Sequence, residues 1–166
     1  MKKVSRSILI LTSAFIISAC SGTVNISPAT MKNIDAAETY DAPYEKAWLA
    51  AVDWFAEQNI IIDKIEKASG LITARYNLQI SPDSLDCGKV EASTMATILA
   101  YEEFASINVT VRSVDENKTK IRMNISGNYK GIGHDTGWGK SLPFSGTCYS
   151  TGVFEKDFSN YIQTRL

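Results

Sequence analysis

The chain has one histidine, His134, and three cysteines, Cys20, Cys87 and Cys148, with no Cys-x-x-Cys spacing among them. The usual zinc sets and the redox dithiol motif therefore lack the residues to build them. No Gly-x-Ser-x-Gly elbow is present. Gly131-Ile132-Gly133 and Gly139-Lys140-Ser141 both lack the spaced glycines of a phosphate cradle. Basic charge is not in excess: 17 Lys and Arg stand against 18 Asp and Glu, and Lys2, Lys3 and Arg6 fall in the first 19 residues, which hold no acid. Residues 20–166 thus carry 14 basic and 18 acidic side chains, a net −4. That balance argues against a nucleic-acid binder and against electrostatic attachment to anionic lipid. No internal repeat or low-complexity block is apparent.

What the chain does have begins at its start. Residues 1–6 are short and basic, and residues 8–17 are apolar or small. This is the layout of an export signal, and the run is shorter than the roughly 20 apolar residues of a membrane span. It ends in Ile17-Ser18-Ala19-Cys20, which resembles the lipobox of bacterial lipoproteins. The resemblance implies cleavage after residue 19, acylation of Cys20 (palmitate or similar chains), and a membrane anchor on that residue. Ser21, where an aspartate would favour retention at the inner membrane, points to the periplasmic face of the outer membrane. Residues 20–40 are small and polar and read as lipidated Cys20 plus a flexible tether. Residues 41–166 remain for a single folded domain, long enough for one two-layer core.

Within that domain, Tyr44, Ala47, Trp48, Ala51, Val52 and Phe55 recur at helical spacing, with Asp41 as N-cap and Pro43 in the first turn. Trp48 falls in the core stripe and Trp54 at its edge. Residues 60–65 and 71–77 read as a hairpin, with Ile72, Ala74 and Tyr76 on one face. Residues 79–103 are undecided: 90–101 suits either a helix or an irregular strand. Alternation in 104–114 and 119–126 places Ile107, Val109 and Val111, then Ile121, Met123 and Ile125, on a buried face. Six glycines between 127 and 147 suggest a long loop. Residues 151–164 close the chain as a helix whose stripe runs Phe154, Phe158, then Tyr161 or Ile162. The expected fold class is α+β: a two-layer sandwich in which two helices cover one face of an antiparallel sheet of about four strands.

Tyr44-Glu45-Lys46-Ala47-Trp48, residues 60–65 and Ser69-Gly70-Leu71-Ile72-Thr73 together resemble the repeated domain of BamC-type lipoproteins. There a Tyr-x-x-x-Trp helix leads into a hairpin whose turn ends in Gly-Leu-Ile. The resemblance implies a helix-grip arrangement; one such domain fits this chain where BamC has two. Beyond the helix and hairpin it extends only to element order.

An exported chain matures in an oxidising compartment, which favours a Cys87–Cys148 disulfide. A metal pair or redox pair is the alternative, weakened by the single histidine. His134 and Asp135, with Lys140, are the loosely clustered candidates for an enzyme, set against a solvated loop histidine. Trp138, with Tyr129, Ile132 and Phe144, offers aromatics for a partner contact, or else a lid folded back on the core. No cofactor or metal is implied. The expectation is a monomeric, non-enzymatic envelope lipoprotein binding a protein of an outer-membrane or periplasmic assembly. A carrier of a small ligand or lipid, using a groove between helices and sheet, is the alternative.

Overall fold

The structure is a computed structural model that describes residues 21–77 and 82–166; the expected signal 1–19 and Cys20 lie outside the described residues. The described elements run β1 (Val24–Ser27), β2 (Ala37–Tyr40), α1 (Tyr44–Glu57), β3 (Ile62–Glu66), β4 (Leu71–Asn77), β5 (Leu85–Asp86), β6 (Lys89–Ala92), β7 (Ala96–Asp115), β8 (Lys118–Asp135), β9 (Ser141–Ser150) and α2 (Val153–Arg165). A seven-stranded antiparallel sheet has the order β3-β4-β7-β8-β9-β5, with β2 also on β8; β1 and β6 form a separate pair.

The expected sandwich of two helices on a sheet of about four strands is therefore overturned, and the helix-grip reading with it. The fold is mostly sheet. Two segments account for the difference. Residues 90–101, left between helix and strand, enter β6 and the first third of β7. The supposed loop 127–147 is the continuation of β8, a turn, and most of β9. The alternating stretches are thus the middle of a much longer hairpin. Their buried residues are those the alternation selects: Ile107, Val109, Val111, Ile121, Met123 and Ile125.

The tether expected over 20–40 is corrected as well. β1 pairs with β6 and β2 with β8, so the segment is sewn into the domain at two places, by strands of four residues each. The strands escape a sequence reading because they are four residues long and mostly exposed.

Helix α1 starts one residue after Pro43, whose carbonyl accepts from the Ala47 amide at 3.1 Å; Asp41 makes no cap. It stops where Asn59 turns left-handed (φ 54°). The Asn59 and Ile60 amides then donate to Ala56 and Phe55, the paired bonds of a Schellman ending. Trp54 lies not at the stripe's edge but in the core, 2% exposed. Its ring meets Phe154 and Phe158 of α2 edge-on, with centroids 5.2 and 5.0 Å apart. Such pairs add to burial and join the two helices over β7 and β8.

Cys87 and Cys148 are joined as a disulfide. It fastens the end of β5 to β9, opposite Gly127 of β8, where an added Cβ would crowd Leu85 and Cys148. The closed loop spans 61 residues. By chain entropy such a link is worth about 4 kcal/mol, a model-dependent figure. Replacing Cys87 and Cys148 together by alanine should lower unfolding stability by roughly 2–4 kcal/mol in urea titrations under oxidising conditions. An unchanged midpoint and slope would contradict this.

Candidate functional site

The three strands that run past the helices, β7, β8 and β9, form an arm. On its inner face Tyr101 sits opposite Gly131, Tyr129 opposite Gly146 and Phe144 opposite Gly131. The rings contact one another, with centroids 5.7 Å apart for Tyr101–Tyr129 and 6.1 Å for Tyr101–Phe144. Each glycine makes room for a ring: a Cβ on Gly146 would overlap Tyr129, and one on Gly131 would overlap Phe144 and come within 2.5 Å of the Ala100 carbonyl oxygen. Aromatic rings laid over strand glycines stabilise an arm that has no helix above it. The Tyr101 hydroxyl donates to Glu103 at 2.7 Å. Burial, and then that carboxylate, push its pKa well above the ordinary tyrosine value, so it stays protonated.

On the other face, Glu102 and Lys130 are cross-strand partners 3.2 Å apart, and the Lys130 ammonium lies 5.2 Å from the Phe104 ring centroid. Phe104 and Ile132 are exposed beside them. An open groove of about 1080 Å³ runs along the arm and takes its lining from both faces: Ile132 and Pro143 from this one, Leu142 and Phe144 from the inner one, together with Val24 and Ile26 of β1. Glu102 and Lys130 are its charged lining residues.

The arm ends in the turn 136–140, organised by Asp135. That side chain is buried, and its carboxylate accepts from the amides of Gly137 (2.9 Å), Trp138 (3.2 Å) and Gly22. Burial alone would raise its pKa; the amides, with nearby Lys140, outweigh burial and hold it below the ordinary carboxylate value. Asp135 is thus committed to backbone, and His134, next to it on a strand, faces the opposite side. The half-triad reading has no geometry to support it here. Lys140 is exposed in the same turn.

The candidate contact residues are not brought together as one surface. Trp138 stands at the turn, 60% exposed, while Tyr129 at 3% and Phe144 at 9% are packed inside the arm. Trp138 is accordingly no lid on the core. The groove also draws on residues the sequence reading passed over, Val24, Ile26, Glu102 and Lys130. Opposite charge at cross-strand positions was the available signal for the last two, once 96–103 was known to be strand. Among the described residues no group of three or more His, Cys, Asp or Glu could hold a metal ion. The chain matches no protein-family model, and no curated protein matches it.

Two outcomes follow from the arm. Gly131→Ala should destabilise the domain by about 1–3 kcal/mol, because the Ala100 carbonyl and the Phe144 ring must both shift; an unaltered melting curve would count against the ring-over-glycine packing. The lowered Asp135 pKa means that the folded state binds its proton less readily than the unfolded chain. Its stabilisation is complete above the unfolded value of about 3.9 and is lost as pH falls through the lower folded value. Asp135→Asn should flatten the acid limb of a stability-against-pH curve, and an acid limb as steep as the parent's would refute that role.

Proposed function

We propose that this chain is an exported lipoprotein, acylated on Cys20 and held at the periplasmic face of the outer membrane. In this reading it acts without covalent chemistry, as an accessory that binds a protein of the cell envelope. The anchor rests on the basic start, the apolar run and Ile17-Ser18-Ala19-Cys20, with Ser21 favouring the outer membrane. The local resemblance of residues 44–73 to BamC-type lipoproteins points the same way.

The observation that carries the partner reading is the open groove on the arm. Small ligands are held in concave pockets that bury most of their surface. An open apolar trough with a charged pair suits an extended protein segment, which gains from apolar anchors with polar groups at their rim. Further along the free side of β9, Pro143 withholds an amide, which disfavours simple addition of a strand to that edge. Side chains in the groove, rather than backbone pairing, would then recognise the partner.

The carrier reading loses the place first envisaged for it. Trp48, Trp54, Phe55, Phe154 and Phe158 fill the space between helices and sheet. The cavity beside α2 is about 230 Å³, below the roughly 300 Å³ at which ligand pockets begin.

Labelled palmitate should enter the full-length chain in cells and be absent from Cys20→Ala; an unlabelled parent chain would remove the anchor. A photo-crosslinking residue at Ile132 should capture one recurrent envelope protein, and Lys130→Glu should weaken that capture. A groove that yields no protein and copurifies with an apolar small molecule would overturn the accessory role in favour of a carrier.

A further inference from the structure

The position at which the chain enters the fold has a mechanical consequence. Gly22 donates its amide to the Asp135 carboxylate that also holds the Trp138 amide. Thr23 exchanges hydrogen bonds with Ser93: its amide donates to Ser93 Oγ at 3.0 Å, and its carbonyl accepts from the Ser93 amide at 2.9 Å. Thr136 in turn donates its amide and its hydroxyl to the Met95 carbonyl, at 2.9 and 3.1 Å. The start of the described chain, the β6–β7 turn and the β8–β9 turn therefore meet at one end of the arm. Cys20 is two residues from Gly22, a reach of at most about 7 Å.

We infer that this end of the arm rests on the bilayer that holds the Cys20 acyl chains, with Trp138 and Met95 seated in its interface. The inference rests on the lipoprotein reading above. If Cys20 is acylated, the chain outside the fold is too short to let the domain swing away, so the nearest protein surface meets the lipid. That surface has the composition for it. Trp138 is 60% exposed at the turn, Met95 is exposed beside it, and Ile98 and Leu99 are exposed a few residues up β7. Tryptophan favours the boundary between water and hydrocarbon, where its ring is buried and its N–H stays wet. Charge agrees as well. In a domain of net −4, the turns 93–95 and 136–140 carry no carboxylate, and Lys140 is their one charged side chain, suited to lipid phosphate. The helices α1 and α2 then face away from the membrane, and the groove opens close to its surface.

The test uses the full-length chain in cells, with a photo-crosslinking residue at position 138, 95 or, as a control on α1, 49, which is also exposed. Purified chains are analysed by mass for acylation at Cys20 and for phospholipid adducts. Adducts at 138 and 95 many-fold above those at 49, on acylated chains, are the expected result. Adducts equal at all three positions, or capture of a protein in place of lipid at 138, on chains that are acylated, would overturn the inference and leave the anchor standing. Chains never acylated at Cys20 would overturn both. All three positions are exposed, so the inserted residue leaves the core unchanged.

Discussion

The long ladder between β7 and β8 is the constraint on which the rest of the domain depends. It runs from Ala96 opposite Asp135 to Asp115 opposite Lys118, interrupted by two irregularities. β4 attaches to its β7 side, and β2 and β9 attach to its β8 side. The helices cover the inner face of its middle. Because side chains alternate strictly along a strand, the register that buries Ile107, Val109 and Val111 under the helices also fixes what happens further out. Tyr101 and Tyr129 must point inward, where no helix covers them, and Phe144 and the glycines complete that stretch instead.

The parts of this fold that could be read in the sequence are those whose neighbours are local. The stripe of α1, the stripe of α2 and the alternation of 104–126 each reveal a buried face without knowledge of the partner. The arm could not be read that way. Glycine is a loop signal when its neighbours are unknown, and at Gly131 and Gly146 its meaning depends on Phe144 and Tyr129 across the ladder. Residues 21–40 misled for a related reason: a short strand on an edge buries little, so its composition resembles a linker's. The stripe of α1 taken alone puts Trp54 at its edge; the residues that bury it, Phe154 and Phe158, are a hundred residues away.

The candidate site divides along the same line. Exposure of Trp138 follows from its place in a turn of glycines, but composition alone does not choose between a contact and a lid. Tyr129 and Phe144 shared its aromatic character but not its environment, since strand parity turns them inward. Asp135 looked like half of a catalytic pair. Three converging backbone amides, one of them contributed by the far start of the chain, make it a structural carboxylate. The same carboxylate links Gly22 to the turn of Trp138, so the first described residues and the end of the arm form one assembly.

Amide hydrogen exchange along residues 21–28 of the oxidised domain tests this most directly. If the segment is sheet, the β1–β6 ladder amides and the Gly22 amide are protected to a degree approaching that of β8 at Gly127–Asp135. Exchange throughout 21–28 at the rate of unstructured chain, with β8 protected, would contradict it and make that segment a free tether ahead of the fold.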